Sequence, residues 1–358
     1  MAEALRAAIV GCGRMGGTID DEVQHTPIVL PYSHAATYAA VGGVALTALA
    51  DTDGQRLAGF GERWGVPEAH RYLDYRELIE RERPDLLSIT TPATSHAELA
   101  VYAAGHGVRG IWCEKAMACS LAECDAVVAA VERHGVKFNL GTTRRWHPAV
   151  FALRALIESG DLGRLRAVVA FGGGPLLHSG SHACDLLLRL AGDPAVEWVQ
   201  GSVEAGAAGG GGAAWDERSA HVPRDLAGSG QFRFAGGVMA YYLDAGPGGE
   251  FEVLGSEGIA RIRNNGDDWE LWRRGPRSGW DRPAFNPAPF PEFPRISRSI
   301  NLLSDLRDAV VTGGDTLGNA RVARAGTELA LGVVESHRQG GARVACPIAD
   351  RALYMVSQ

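Results

Sequence analysis

The chain of 358 residues has no run of five or more basic side chains, and its formal net charge is −7. Nucleic acid or an anionic membrane surface would meet repulsion rather than a basic track, so neither is expected as a partner. No apolar stretch reaches the ~18 residues that a membrane span needs, so no membrane association is expected. The first apolar run follows Met1–Arg6 at once, so no signal peptide is expected. Cysteine is sparse: Cys12, Cys113, Cys119, Cys124, Cys184 and Cys346 form no C-x-x-C pair and no His/Cys metal spacing. The expectation is a cytoplasmic protein with reduced thiols and no metal site. Internal repeats are also missing.

What is present begins at once. The run Ala7-Ala8-Ile9-Val10 leads into Gly11-Cys12-Gly13-Arg14-Met15-Gly16, a strand followed by G-x-G-x-x-G. In a dinucleotide fold the first glycine permits the tight turn, the second lets backbone approach a pyrophosphate, and the third packs helix on strand. Gly11, Gly13, Arg14, Met15 and Gly16 are therefore the first candidate cofactor residues. Asp51 ends a second apolar run, Val44–Ala50, where a carboxylate can accept hydrogen bonds from an adenosine ribose. Its negative charge repels a 2′-phosphate, which favours NAD over NADP. Asp51 lies farther from Gly16 than the usual ~20-residue spacing. Pro27 and Pro31 cannot sit within a helix, so residues 17–33 read as an inserted loop, with Ser33 capping a resumed helix to Ala40.

Strand and helix patterns alternate to about residue 140. Strands are read at Asp85–Thr90, Gly110–Cys113 and Val136–Leu140, and helices at Gln55–Trp64, Tyr75–Arg81, His96–His106 and Leu121–His134. Alternation of this kind predicts a Rossmann-type, doubly wound parallel sheet. Ligands bind at the carboxyl ends of such strands, which marks Thr91-Pro92 with His96, and Glu114-Lys115. Beyond residue 142 strand-like runs follow one another: Leu165–Phe171, Val196–Val203, Gly230–Leu243, Gly249–Leu254, Ile259–Arg263 and Trp269–Trp272. They predict an open, mostly antiparallel sheet in an α+β domain. Residues 205–214 read as a mobile Gly/Ala-rich loop, Trp280–Pro294 as an extended surface segment, and Ser299–Thr312 and Gly318–His337 as helices. The expected domains are 1–142, dinucleotide-binding, and 143–358, substrate-binding and oligomerising.

With these pieces in order, the chain resembles the glucose–fructose oxidoreductase/inositol dehydrogenase (Gfo/Idh/MocA) family. The resemblance rests on the glycine turn, Thr91-Pro92 with His96, Glu114-Lys115, Arg144-Arg145-Trp146-His147-Pro148, Gly180-Ser181-His182-Ala183-Cys184-Asp185, Gly255-Ser256-Glu257-Gly258 and Val344-Ala345-Cys346-Pro347. It implies an NAD-dependent dehydrogenase or reductase acting on CH–OH groups of a sugar, cyclic polyol or related small molecule, assembled as a homodimer or homotetramer. Two positions depart from the family pattern. Ala116 stands where the family has proline after the lysine, so a trans peptide is expected there. His178 stands where the family usually has aspartate.

Alcohol oxidation needs a hydride acceptor and a base for the hydroxyl proton. An imidazole, titrating near ~6.5, suits the second task, which makes His182 the candidate base. Lys115 would stabilise the reacting oxygen, and His178 would contact substrate or share the proton. Lys115, Arg145, Trp146, His178, His182 and Asp185 make up the candidate substrate site, with Trp146 as an apolar platform and Asp185 orienting His182 from the same helical face. Two other readings stand beside this one. In the first, bound NAD oxidises a sugar, elimination cleaves a glycosidic bond and the hydride returns. In the second, the fold is a catalytically silent cofactor-binding sensor.

Overall fold

The computed structural model describes residues 4–24, 28–204, 215–246, 248–277 and 280–357. It divides into two compact units, Met1–His147 with Arg295–Arg324 and Ser357–Gln358, and Pro148–Pro294 with Ala325–Val356.

In the first unit the apolar runs become strands Leu5–Val10 (β1), Val44–Ala50 (β2), Arg71–Tyr72 (β3), Leu86–Ile89 (β4), Gly110–Cys113 (β5) and Lys137–Leu140 (β6). All pair in parallel, in the order β3-β2-β1-β4-β5-β6. Strand order reverses between β1 and β4, the place where doubly wound sheets open a ligand crevice. β4 and β5 are buried at every position, because helices cover both faces, and this is why they read as unbroken apolar runs. The helices are His34–Ala40 (α1), Gly54–Trp64 (α2), Tyr75–Glu82 (α3), His96–Gly105 (α4) and Leu121–His134 (α5). Local chemistry starts each of several: Ser33, Asp53, Asp74 and Ser120 accept hydrogen bonds from first-turn amides.

The expected insertion after the glycine turn is present. Arg14–Thr18 forms one π-type turn and Ile19–Glu22 a 3₁₀ turn. Three consecutive acids pin this segment. Asp20 accepts from the Tyr32 and Ser33 amides at 2.6 and 3.0 Å. Asp21 takes a two-pronged bond from Arg63 at 2.7 and 2.8 Å, and Glu22 pairs with Arg14. Pro27 lies outside the described residues.

The second unit carries helices Pro148–Glu158 (α6) and Gly180–Ala191 (α7) and the strands Leu165–Gly172 (β7), Val196–Val203 (β8), His221–Val222 (β9), Gly228–Phe234 (β10), Met239–Asp244 (β11), Glu250–Gly255 (β12), Gly258–Arg263 (β13), Asp268–Arg277 (β14), Trp280–Ala288 (β15), Val344–Ala345 (β16) and Tyr354–Met355 (β17). Nine of them form one sheet, ordered β15-β14-β13-β12-β7-β11-β10-β8-β16. Only its β7–β11 pair is parallel. Burial alternates along β10 and β13, as one packed face requires. One expectation is corrected. The run Gly230–Leu243 splits into β10 and β11 at Gly236-Gly237, whose positive φ angles turn the hairpin. Trp280–Ala288, read as part of an extended surface segment, is extended as an edge strand, with Pro283 and Pro287 tolerated where an amide has no partner to serve. Residues 205–214 lie outside the described residues.

The chain then returns to the first unit. Helix Arg298–Thr312 (α8) buries Leu302, Leu303 and Leu306 completely, in one cluster with Ala7, Ile9 and Trp112. At about 1.5–3 kcal/mol per buried leucine, this stripe explains why 295–324 packs with the first unit although the sequence suggested one continuous second domain from residue 143. A further helix, Ala320–Arg338 (α9), follows. Among the described residues no helix is long and apolar enough to cross a membrane.

Candidate functional site

The glycine turn is built as three different demands. Gly11 has φ +98°, and a Cβ there would stand 2.7 Å from the Thr90 carbonyl carbon. A Cβ on Gly16 would stand 2.5 Å from the Gly11 oxygen, whereas one on Gly13 would meet nothing within 4 Å. Gly13 thus faces open space. That space is a cavity of about 520 Å³ at the ends of β1, β2 and β4, lined by Gly11, Gly13, Asp51, Arg56, Thr91 and Pro92 among others. Asp51 is almost fully buried. Its carboxylate accepts the Cys12 amide at 2.7 Å, the Asp53 amide at 2.8 Å and Arg56 Nη1 at 3.3 Å. It ties the glycine turn to β2 as well as facing the cavity. Tyr75 and Arg76, read from sequence only as the start of a helix and not as site residues, also line the cavity. Arg76 lies over the Tyr75 ring at 4.5 Å and pairs with Glu98. Only the position of Tyr75-Arg76 just after the Asp74 cap could have signalled this. Arg14 turns to Glu22 at the exposed surface, and Met15 and Gly16 are not among the lining residues. An open glycine cradle, a buried carboxylate beside it and a volume suited to a cofactor moiety fit a dinucleotide.

At the end of β5 stands a second carboxylate. Glu114 is buried, and a Cβ at Gly141 would press to 2.4 Å of its Oε1. His34, fully buried and stacked on Trp112 at 3.5 Å, holds Glu114 Oε1 at 3.1 Å through Nε2 and Ser88 Oγ at 2.8 Å through Nδ1. Tyr38 Oη lies 2.7 Å from the same Ser88 oxygen. Burial holds the His34 imidazole below its ordinary range, although Glu114 pulls the other way. The neutral ring gives one consistent assignment: Tyr38 donates to Ser88, Ser88 donates to Nδ1, and Nε2–H donates to Glu114. The chain of bonds leaves no member unsatisfied. The sequence reading missed it, because His34, Ser88 and Glu114 come from three distant segments.

Lys115 follows, half-buried. The Lys115–Ala116 peptide is cis, which corrects the trans expectation. Its surroundings fix this segment on both sides: Ala116 is buried, and its carbonyl faces His96 Nδ1 at 2.7 Å. His96 Nε2 faces the Thr91 carbonyl at 2.8 Å. Burial again holds this imidazole below its ordinary range. Expected as a cofactor contact, His96 is fully buried and sits behind Thr91 and Ala116, where it braces the two strand ends.

The turn Thr143–Trp146 after β6 sorts its residues differently from the expectation. Trp146 is 1% exposed, donates Nε1–H to Asp305 at 3.2 Å and would be struck by any Cβ on Gly318. It is a core residue, not a sugar platform, since α8 and residues 317–318 close over it. Arg145 is fully buried, with Nη1 3.5 Å from the Leu317 carbonyl. Arg144 and His147 remain half-exposed.

In the second unit α7 places His182 and Asp185 one turn apart, with Asp185 buried. His178 is exposed, and its amide donates to Asp225 Oδ2 at 2.7 Å while the Leu177 amide donates to Oδ1 at 2.9 Å. Asp225 thus places a carboxylate under the loop that carries His178. Tyr242 lies close by, its buried hydroxyl without a hydrogen-bond partner among the described residues. Nothing in the local sequence marked Asp225 or Tyr242.

Residues 5–142 match the family described as an oxidoreductase family with an NAD-binding Rossmann fold, GFO_IDH_MocA. D-apiose dehydrogenase of Paraburkholderia graminis is 31% identical over 158 residues, covering 44% of this chain and 37% of that protein. Inositol 2-dehydrogenase of Salmonella typhimurium is 29% identical over 161 residues, covering 45% and 43%. The matched stretch is less than half the length of either relative. Levoglucosan dehydrogenase, solved with NADH and levoglucosan, superposes over 96% of this chain and all of its own with a TM-score of 0.74 at 19% identity. An inositol dehydrogenase homologue from Azotobacter vinelandii, solved with NADH and myo-inositol, gives 0.73 at 20% identity over 96% and 98%. These two likenesses show the shared fold. The Rossmann sheet, the glycine cradle and the family match agree over residues 5–142, and that stretch is similar to the NAD-binding domain of the Gfo/Idh/MocA oxidoreductase family.

Proposed function

We propose that the protein is an NAD-dependent dehydrogenase or reductase for a secondary alcohol or ketone of a sugar or cyclic polyol. The observation that carries this is the cavity at the β1–β4 switch, where Gly11 and Gly13 leave backbone bare and Asp51 presents a carboxylate. Gly11, Gly13, Asp51, Thr91 and Pro92 hold the cofactor, and Glu114 and His96 act on it through the strand ends they brace. The carboxylate of Asp51 favours ribose hydroxyls over a 2′-phosphate, hence NAD. When bound, NAD supplies the hydride acceptor. Lys115 hydrogen-bonds the reacting oxygen and stabilises its developing charge. His182 accepts the hydroxyl proton as the C=O bond forms. Asp185 orients His182, and His178 contacts substrate. The assignment rests on the chemistry of each residue within its own unit. The α+β unit supplies the substrate residues and, through its open sheet, a homodimeric or homotetrameric interface. Six unbridged cysteines suit a cytoplasmic enzyme.

The test is a spectrophotometric screen of sugars and polyols with NAD and NADP separately. Net NADH from one member supports the reading. Glycoside cleavage without net NADH would replace it with the oxidation–elimination–reduction cycle. Lys115→Ala should lower turnover about a thousandfold or more while sparing NADH affinity. Unchanged turnover in that variant removes Lys115 from the chemistry.

A further inference from the structure

The cofactor cavity has an outer wall whose chemistry differs from that of its glycine floor. Among the described residues its lining cations are Arg56 and Arg76, and its lining acids are Asp51, Asp74 and Glu98. Arg76 belongs to the first turn of α3 and Glu98 to the first turn of α4. Arg76 Nη2 donates to Glu98 Oε1, and the same oxygen accepts the Tyr75 hydroxyl at 2.9 Å. The Arg76 Cζ also lies 4.5 Å from the Tyr75 ring centre and 5.5 Å from that of Tyr102, and the two rings meet edge-on. Tyr102 is tied back to α3 through its hydroxyl, which donates to Glu80 at 2.6 Å. Two rings and a carboxylate therefore hold the guanidinium in place.

Each of the two cations is answered by acids. Arg56 Nη1 stands 3.3 Å from each Asp51 oxygen, and its Nη2 donates to Asp53 at 3.1 Å. Arg76 has Glu98 on one side. On the other is Asp74 at 3.9 Å, whose Oδ1 is already engaged by the Arg76 amide. In dinucleotide folds a nearby arginine accommodates a 2′-phosphate. This cavity has arginines at its wall, but neither has its charge at liberty. Exposed ion pairs are weak singly, so Glu98 alone would yield Arg76 to a phosphate at small cost. Departure from the two rings adds to that cost, and it would leave the Glu98 carboxylate bare beside the phosphate.

We propose that Glu98 is a second determinant of the choice of NAD over NADP, because it neutralises Arg76, the outer-wall arginine that would otherwise receive a 2′-phosphate. The inference rests on the reading of this cavity as a dinucleotide site and deepens it. Asp51 acts by repulsion at the ribose, whereas Glu98 acts by withholding a cation. Removal of either moves the same ratio by a different route.

The test is fluorescence titration of the full chain with NADH and with NADPH. Glu98→Gln keeps an acceptor for the Tyr75 hydroxyl and removes the charge, while the two rings still hold Arg76. The ratio of NADH to NADPH affinity should then shift toward NADPH by about fivefold, and the shift should shrink as salt rises. With Arg76→Gln in the same background the shift should vanish. Glu80→Gln, which removes a neighbouring acid that is not among the lining residues, should leave the ratio unchanged. An unmoved ratio in Glu98→Gln overturns the proposal, and so does a preference of the unaltered protein for NADPH. A shift that persists without Arg76, or one matched by Glu80→Gln, overturns it as well, since either is the effect of charge at a distance. Absence of binding by both cofactors removes the dinucleotide reading and the proposal with it. NADH binding with an unmoved ratio removes the role of Glu98 alone. NADH release from NAD with sugars judges the dehydrogenase reading separately.

Discussion

Two carboxylates end two parallel strands of the same sheet, and they are put to opposite uses. Asp51, after β2, lines a cavity and shares its oxygens between two backbone amides and a half-exposed arginine. Glu114, after β5, is walled in by Gly141 and bound by a histidine with no exposure at all. Position at a strand end therefore does not by itself make a ligand-binding acid. A carboxylate that keeps one side toward a cavity can select among ligands. One whose oxygens are taken by a closed network holds the shape on which a neighbour, here Lys115, depends. The contrast yields experiments on each end.

The largest effect belongs to the buried end. His34→Ala removes the donor to Glu114 and the donor's partner at Ser88 and leaves a gap against Trp112. Loss of a hydrogen bond to a buried charged group and of the packing around it should destabilise the protein by about 3 kcal/mol. Denaturant unfolding measures it. A loss below about 1 kcal/mol would mean that the network is not what holds Glu114, and the comparison with Asp51 would lose its basis.

The same end should be the acid-sensitive one. Burial keeps His34 and His96 below the ordinary histidine range in the folded protein, while the unfolded chain takes up protons near ~6.5. Below that pH the unfolded state binds more protons, so stability rises with pH there and is lost as pH falls from about 6.5, by at most ~1.4 kcal/mol per pH unit for each such histidine. Above that range these groups contribute a constant amount. Melting temperatures between pH 7.5 and 5.5 should fall in the unaltered protein and fall less in His34→Asn (an interval chosen to lie above most carboxylate titration, near ~4). Parallel slopes in the two proteins would remove His34 as a source.

How much of this was legible follows from where the partners lie. The six-stranded sheet, the three glycines and Asp51 could be read because each depends on local pattern: apolar runs, a motif of six residues, a strand end. The insertion was legible from its prolines, though not its three acidic anchors. Trp146 could not be placed, because its surroundings are Asp305 and Gly318, contributed by a segment more than a hundred residues later. His34 failed for the same reason, and so did the return of 295–324 to the first unit, where the leucines of α8 are shared with β1 and β5. The substitution at 178 was visible, but the carboxylate of Asp225 under that loop was not, since its bonds go to backbone amides that any residue would supply.

At the open end the expected effects are smaller. Asp51→Asn keeps an acceptor for the Cys12 amide and removes the charge that opposes a 2′-phosphate, leaving Arg56 at the cavity wall. The ratio of NAD to NADP affinity should shift toward NADP by about tenfold, roughly 1.4 kcal/mol, and Arg56→Ala in the same background should take most of that shift back. Fluorescence titration with the two reduced cofactors measures both. An unchanged ratio would mean that Asp51 serves only to tie the glycine turn to β2, which would make it resemble Glu114 more than it differs from it.

The smallest effect sharpens the boundary of the cavity. Arg14 sits inside the glycine motif, where the sequence places it among the cofactor residues, yet its guanidinium is bonded to Glu22 at the exposed surface. Exposed pairs of this kind contribute about 0.2–1 kcal/mol, and the inserted segment is also held by Asp20 and Asp21. Arg14→Ala should change stability by no more than about 0.5 kcal/mol and NADH affinity by less than about twofold. A tenfold loss of NADH affinity at unchanged stability would show Arg14 leaving Glu22 for the pyrophosphate when the cofactor binds. The open end would then be a site completed by its ligand, in contrast to the β5 end, whose bonds are all in place beforehand.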